Sequence, residues 1–193
     1  MTDPATVAPA LHPRVALVLD ELAAARSALR VLVDPLDDAR LSQPAPDGGW
    51  SALEVLDHLA KSEEGISRMI RKLVRDALAQ GLAAETESET ASILASLLPM
   101  DVEGASRKVV APPTLVPATL PLRADVLAAL DESRARLVEW MRAGNGLALG
   151  TLGWPHPFFG PLTVYQWGVF VAQHERRHAR QIARALAGSS AKP

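Results

Sequence analysis

The sequence predicts an all-α protein, a four-helix bundle. Apolar residues recur at the three- and four-residue spacing of helices in four long segments, and almost no stretch alternates apolar and polar residues as a half-buried strand does. Two of the four segments open with the Ser/Thr-x-x-Glu/Gln pattern that caps a helix N-terminus. Four amphipathic helices of this length bury their apolar faces against one another, which is the arrangement of a bundle.

The first two long helices are separated by a connection rich in proline and glycine. Apolar spacing predicts a helix over residues 13–33, with a proline at its first position, where the missing N–H is tolerated. The segment 36–49 contains two prolines and two glycines and is predicted as a loop. Ser51 and Glu54 then form a capping box, which predicts a second long helix over residues 52–80.

The second half of the chain is predicted to contain two more long helices. A short helix over 88–98 and a proline-rich crossing lead to the third long helix, over 122–142. The segment 150–161 is rich in proline, glycine and aromatic residues and is predicted as a loop. Thr163 opens the last helix through a second capping box, and this helix extends to about Ala187.

The length fits one domain with a sizeable core. The chain has 193 residues, of which 48% are hydrophobic and 22% are charged, as in average soluble proteins. We expect a loose N-terminal tail over residues 1–11, a single domain over 12–187 and a C-terminal tail over 188–193.

Composition argues against several classes of function. Twenty basic and twenty-two acidic residues give a net charge of −2, so we expect no nucleic-acid partner. No apolar run approaches the roughly 20 residues that cross a bilayer, so we expect no membrane partner. The absence of cysteine excludes disulfides, thiolate metal sites and cysteine nucleophiles. The N-terminus lacks the pattern of a secretory signal, and we expect a cytoplasmic protein.

Three histidines are the strongest functional signal. His174 and His178 stand one turn apart on one face of the last helix, close enough to share a metal ion. His58 lies at the edge of the inward face of the second long helix. Three imidazoles from two facing helices would leave a divalent metal with open positions, as in a catalytic site. The alternative is that these histidines are hydrogen-bonded core residues that bind no metal.

The other two histidines are expected to play structural roles. His12 precedes the proline at the start of the first helix and is expected to cap that helix or to be solvated. His156 lies in the predicted loop and is expected to be structural, although it is also the loop residue that could reach the mouth of the site and close it.

The segment from His174 to His178 matches the His-Glu-x-x-His pattern of zinc peptidases, in which the glutamate is the general base. The chain offers no His, Asp or Glu downstream as the usual third ligand of such peptidases, so we do not predict a peptidase. Arg176 and Arg177 occupy the two middle positions and favour a solvated face. We therefore expect Glu175 to be a surface residue that pairs with a nearby cation.

Taken together, these motifs resemble the DinB-like (DinB/YfiT) superfamily of metalloenzymes. The matching residues are Trp-Ser-Ala-Leu-Glu-Val-Leu-Asp-His-Leu-Ala at 50–60, His-Pro-Phe-Phe-Gly-Pro-Leu-Thr at 156–163 with Trp167, and Gln-His-Glu-Arg-Arg-His-Ala-Arg-Gln-Ile at 173–182. Each motif is modest alone, but their order and spacing are specific together. The resemblance covers roughly residues 12–187.

The resemblance implies an up-down-down-up bundle and a divalent metal, Zn or Ni, held by His58, His174 and His178. It also implies a homodimer, because dimers are common in the family. Some members resemble metal-dependent transferases or isomerases that use a low-molecular-weight thiol such as bacillithiol, mycothiol or glutathione. Other members are known only as stress-inducible proteins, so the family does not fix the activity.

Two functions are compatible with these observations. The first is a metal-dependent enzyme acting on a small-molecule substrate, in which the ion lowers the pKa of a bound thiol or water. Thiol S-transfer fits the resemblance best, and metal-assisted hydrolysis comes next. The second is a non-catalytic dimeric bundle that holds a structural metal or none. A structural site would normally supply a fourth protein ligand, and none is evident, so we favour the enzyme.

Overall fold

The computed structural model describes residues 10–104 and 110–188. Within these ranges the chain forms six α-helices and one short β-hairpin. The elements are α1 (Pro13–Val33), α2 (Asp38–Ser42), α3 (Ala52–Gln80), α4 (Ala91–Leu97), α5 (Arg123–Ala143), β1 (Gly153–His156), β2 (Gly160–Thr163) and α6 (Val164–Gly188). Most of the predicted terminal tails, at 1–9 and 189–193, lies outside the described residues.

Helices α1 and α6 run in the same direction. Near their N-termini the guanidinium of Arg14 lies 5.9 Å from the centre of the Tyr165 ring. One-half to two-thirds of the way along them, Arg26 donates a hydrogen bond to Glu175. Because the two contacts occur in the same order along α1 and α6, the helices are parallel.

Helices α3 and α5 also run in the same direction, opposite to α1. Arg134 of α5 bonds to Glu63 of α3, and further along, a Cβ added at Gly144 would lie 3.3 Å from Val74. Arg134 also donates to the carbonyl of Leu22, and Arg123 donates to the carbonyl of Asp34, so α5 is antiparallel to α1.

The four long helices therefore run up, down, down and up. Helix α1 packs against α6, α3 packs against α5, and α3 also packs against α6, which brings the second and fourth long helices together. The predicted all-α four-helix bundle and its up-down-down-up order are confirmed.

Capping fixes where three of the helices begin. Ser51 accepts from the backbone N–H of Glu54, and the Glu54 carboxylate accepts from the Ser51 N–H, so both halves of the capping box are formed. Thr163 and Gln166 make the same reciprocal pair at the start of α6. His12 accepts from the N–H of Arg14 at the start of α1, so of its two expected roles it caps the helix.

The buried apolar residues form two clusters, one toward each end of the bundle. The first cluster contains the residues up to Ala25 of α1 and up to Ala172 of α6, and the second begins at Leu29 of α1 and includes Ile182 of α6. The same break occurs along α3 and α5. A polar layer therefore separates the two clusters near the middle of all four long helices.

Three connections differ from the sequence-based prediction. The predicted loop over 150–161 contains an antiparallel hairpin in which Gly153 pairs with Thr163 and His156 with Gly160. Period-two patterning cannot reveal such short strands, one of which is exposed along nearly its whole length. The predicted loop over 36–49 contains the one-turn helix α2, and the predicted helix over 88–98 is observed at 91–97. No helix in the described part of the chain is long and apolar enough to cross a membrane.

Candidate metal centre

The antiparallel packing of α3 and α6 brings the three predicted histidines together. His58 comes from α3, and His174 and His178 come from successive turns of α6. One ring nitrogen from each histidine lies within 4.8 Å of the others. The imidazole centres of His58 and His178 are 4.8 Å apart, and those of His58 and His174 are 5.3 Å apart. No other group of three or more potential ligands is found in the described ranges.

Hydrogen bonds orient two of the three imidazoles. The Nδ1 of His58 lies 3.0 Å from the carbonyl oxygen of Leu115, and the Nδ1 of His178 lies 2.8 Å from the side-chain oxygen of Gln181. Both oxygens can only accept, so both Nδ1 atoms carry the proton. The Nε2 lone pairs of His58 and His178 are therefore available to a metal, as in protein sites where a second partner fixes the ring of the ligand.

The geometry of the donor atoms fits a divalent ion. The Nε2 atoms of His174 and His178 are 3.1 Å apart. Two imidazole nitrogens that bind one zinc ion at about 2.0–2.1 Å lie about 3.3 Å from each other in tetrahedral geometry. Zn²⁺ and Ni²⁺ both accept imidazole ligands. The spacing of His174 and His178 therefore suits one shared ion, and a set of three imidazoles suits Zn²⁺ or Ni²⁺.

All three imidazoles are held in the neutral form that a metal requires. Burial lowers the pKa of His58, and burial together with the other two histidines lowers that of His174 well below its ordinary value. Burial, with a smaller effect of His58, lowers the pKa of His178 to about 4. The folded protein thus presents unprotonated nitrogens at neutral pH without first having to release protons.

The three histidines open into a pocket of about 560 Å³. Most of the residues around this pocket are apolar, and no aspartate or glutamate occurs among its described lining residues. Trp50 packs beside His58, with ring centres 5.3 Å apart, and Phe170 stacks on His174 at 5.6 Å. The cluster therefore offers three potential ligands, and its open side faces a space large enough for a small molecule.

His156 lines the same pocket but is not part of the three-histidine cluster. Its Nδ1 accepts a hydrogen bond from the backbone N–H of Phe158, and its ring stacks on Phe159 at 4.6 Å. Burial lowers its pKa to about 4, so the ring is neutral. His156 therefore shapes the hairpin beside the pocket and does not close the metal site.

The prediction that Glu175 lies on the surface is wrong. This residue is 2% exposed, and its carboxylate accepts hydrogen bonds from the Nε of Arg26 at 2.6 Å and from the Nη2 of Arg134 at 2.8 Å. The same two arginines bond to Glu63. Each of these four charged residues comes from a different long helix, and together they form the polar layer between the two apolar clusters.

Sequence patterns alone could not reveal this four-residue ion cluster, because a buried ion pair between distant helices looks like two ordinary surface charges. The available signal was that Arg26, Glu63 and Arg134 fall within the apolar stripes of their helices. Because Glu175 is fully engaged with two arginines, it is not available as a general base, which agrees with setting the peptidase aside.

The sequence predicts a solvated face for Arg176 and Arg177, and this prediction holds for only one of the two. Arg176 pairs with Glu21 and Glu103 at the surface. Arg177 instead lines the pocket, where its Nη1 lies 3.4 Å from the carbonyl oxygen of Val102. The helical turn that carries both histidines therefore also places one positive charge beside them.

Comparisons with known proteins agree with the fold. The chain is 31% identical over 155 residues to the uncharacterized protein YuaE of Bacillus subtilis (strain 168), which covers 76% of this chain and 83% of that protein. It is similar in structure to TT2238, a four-helix bundle protein, with a TM-score of 0.58, 27% identity, and coverage of 88% of this chain and 98% of the other.

A second structural neighbour is YfiT from Bacillus subtilis, described as a probable metal-dependent hydrolase with an unusual four-helix bundle topology. Its TM-score is 0.58 at 17% identity, and the match covers 98% of this chain and 94% of YfiT. The sequence pattern of the DinB superfamily matches residues 21–182, a range that contains all three clustered histidines. The chain belongs to the DinB superfamily.

Proposed function

We propose that this protein is a metal-dependent enzyme that holds one Zn²⁺ or Ni²⁺ ion through His58, His174 and His178 and acts on a small molecule. The observation that carries this proposal is the convergence of three neutral imidazoles on the floor of a pocket, with no fourth ligand among the described residues. A structural zinc site is normally closed by four protein ligands, whereas a catalytic one keeps a position for substrate or water.

The chain itself contributes orientation, desolvation and charge. Leu115 and Gln181 hold the Nδ1 atoms of His58 and His178, so Nε2 is the atom that each of these two rings offers to a metal. When bound, the ion supplies a Lewis acid that lowers the pKa of a coordinated thiol or water. The neutral ligands leave the full charge of the ion in the pocket, which favours an anionic nucleophile.

We propose thiol S-transfer as the reaction. A thiolate of bacillithiol, mycothiol or glutathione attacks an electrophilic carbon, the C–S bond forms, and the leaving group departs with the electron pair of the broken bond. No carboxylate lines the described part of the pocket, so the attacking group has to be activated without a carboxylate base. Hydrolysis is the second candidate, since the structural neighbour YfiT is described as a probable metal-dependent hydrolase.

The test compares zinc-loaded, nickel-loaded and EDTA-treated protein. Each form is given 1-chloro-2,4-dinitrobenzene with one of the three thiols, and chloride release with C–S bond formation is followed by absorbance. A parallel assay offers 4-nitrophenyl acetate without thiol. We expect thiol-dependent turnover by a loaded form, which His174→Ala abolishes and His12→Ala retains, because His12 lies outside the pocket. Thiol-independent ester cleavage with the same metal dependence would support hydrolysis instead.

The non-catalytic alternative makes a different prediction. A fully metal-loaded protein that turns over neither the thiol–electrophile pairs nor the ester, while losing stability when the metal is removed, would support a structural ion. We also propose that the protein is a homodimer, as its family resemblance implies, and that it is cytoplasmic. Light scattering on the purified protein measures the oligomeric state directly.

A further inference from the structure

We propose that the substrate carries an uncharged aromatic group, which lies against a wall formed by Phe158, Phe159 and Phe170. This inference rests on the proposed function, because it assigns a substrate class to the same pocket. It concerns the part of the pocket outside the three histidines, which sets what kind of molecule reaches them.

The wall is a continuous series of ring contacts that leads from the hairpin to a metal ligand. His156 stacks on Phe159 at 4.6 Å, Phe159 meets Phe170 edge-on at 6.2 Å, and Phe170 stacks on His174 at 5.6 Å. These distances and angles are those of favourable aromatic pairs. A planar group added to this series is placed directly beside the metal ligands.

Three polar side chains of the lining already make contacts with protein groups. The Ser62 hydroxyl donates to the carbonyl oxygen of His58 at 2.7 Å, and the Gln181 oxygen accepts from His178. Arg177 lies within hydrogen-bonding distance of the Val102 carbonyl. A substrate rich in hydroxyl groups, such as a sugar, would lose its hydrogen bonds to water here and regain few of them.

Charge further restricts the bound group. The described lining holds Arg177 and no carboxylate, and the proposed ion adds positive charge. A cationic ligand would leave water without a compensating negative charge and would be repelled. An uncharged aromatic ring can stack on the wall without losing hydrogen bonds to water and without being repelled by positive charge. The pocket volume of about 560 Å³ accommodates such a ring together with a bound thiol.

Substitution of Phe158 tests the aromatic wall most directly. Its side chain is 48% exposed next to the tip of the hairpin, so its removal leaves the core intact. Trp154 of the same hairpin is 44% exposed but does not line the pocket, which makes Trp154→Ala a matched control for Phe158→Ala.

Calorimetric titration of the full chain with three probes tests the inference in both zinc-loaded and EDTA-treated protein. The probes are 1-naphthalenemethanol, the 1-naphthylmethylammonium ion and glucose. We expect the neutral naphthyl probe to bind one site, the cation to bind at least about tenfold more weakly to the zinc-loaded form, and glucose to give no detectable heat. Phe158→Ala should weaken binding of the neutral probe about five- to tenfold, because it removes one stacking partner.

Three results would overturn the inference: no binding of 1-naphthalenemethanol, equal binding of the cation and the neutral probe to the zinc-loaded form, or equal affinities of Phe158→Ala and Trp154→Ala. The test is separate from that of the proposed function. Turnover of the loaded enzyme without naphthyl binding would overturn this inference alone. Naphthyl binding by a protein that takes up no metal would support the aromatic wall and overturn the proposed function alone.

Discussion

The carboxylate of Glu175 lies 2.8 Å from the Nη2 of Arg134, and this contact joins helices α6 and α5 through the centre of the bundle. Glu175 directly follows His174 of the three-histidine cluster in the chain, and Arg134 also bonds to Glu63, five residues after His58. The ion cluster therefore ties together the two helices that carry the histidines. A shift of α6 along α3 would break these bonds as it separated the imidazoles.

Removal of Glu175 should destabilise the fold strongly. Glu175→Ala leaves Arg26 and Arg134 with one buried carboxylate between them, and breaking a buried ion pair costs about 3–5 kcal/mol. Glu103→Ala on the surface, where the half-buried Arg176 and the exposed Arg180 lose a partner, should cost less than about 1 kcal/mol. Urea unfolding of both variants measures the difference. Equal losses would show that the ion cluster does not hold the bundle together.

Close approach of α1 and α6 depends on Gly168. A Cβ at this position would overlap the buried Val18 Cγ1, so Gly168→Ala should destabilise the protein by about 1–3 kcal/mol through overpacking. Gly65 of α3 has open space around it, so Gly65→Ala should stabilise by up to about 1 kcal/mol through helix propensity. Thermal unfolding of the two variants shows whether each substitution lowers or raises the stability of the protein. A stabilising Gly168→Ala would contradict the described packing.

Gln181 should control metal affinity without binding the metal. Its side-chain oxygen holds the Nδ1–H of His178, and loss of such a partner typically weakens metal binding about 10- to 100-fold. We expect this loss for Gln181→Leu, while Gln181→Glu keeps an acceptor and retains tight binding. Competition with a chelating dye measures both constants. Wild-type affinity in Gln181→Leu would mean that the ring of His178 is oriented by something else.

Acid should destabilise the metal-free protein through its buried histidines. Burial lowers the pKa of His178 from the ordinary value of 6.5 to about 4, so between these values the unfolded chain binds a proton that the folded chain does not. The free energy of unfolding therefore falls as the pH falls through this window, by about 2–3 kcal/mol for His178 by pH 4.5. Urea unfolding of EDTA-treated protein at pH 7.5 and 4.5 measures the loss. His178→Gln should show a shallower dependence, and an unchanged one would refute the assignment.

Local signals in the sequence predicted the helices and the three histidines. The capping boxes at Ser51 and Thr163 placed two helix starts, and each depends only on residues within one turn. The spacing of His174 and His178 placed both on one face of one helix, and the apolar spacing of the second long helix placed His58 at the edge of its inward face. The resemblance to the DinB superfamily added the order of the helices. The caps and the helix faces depend only on residues that are close together in the sequence.

Features that join distant segments could not be predicted in the same way. The partners of Glu175 stand 149 and 41 residues away, and its charge gave no sign of burial. The carbonyl that orients His58 belongs to Leu115, whose identity carries no information about that bond. The hairpin at 153–163 is held by backbone pairing of two four-residue strands, too short for a periodic pattern to show.

Metal content per chain tests the three-histidine centre most directly. The protein should be purified without a histidine tag or a chelating column, loaded with Zn²⁺ or Ni²⁺, dialysed and measured by elemental analysis beside His174→Ala and the His12→Ala control. We predict about one ion per chain in the wild type and in His12→Ala, and almost none in His174→Ala. Wild-type protein that takes up neither metal, or a His174→Ala variant that retains one ion per chain, would contradict the three-histidine metal centre.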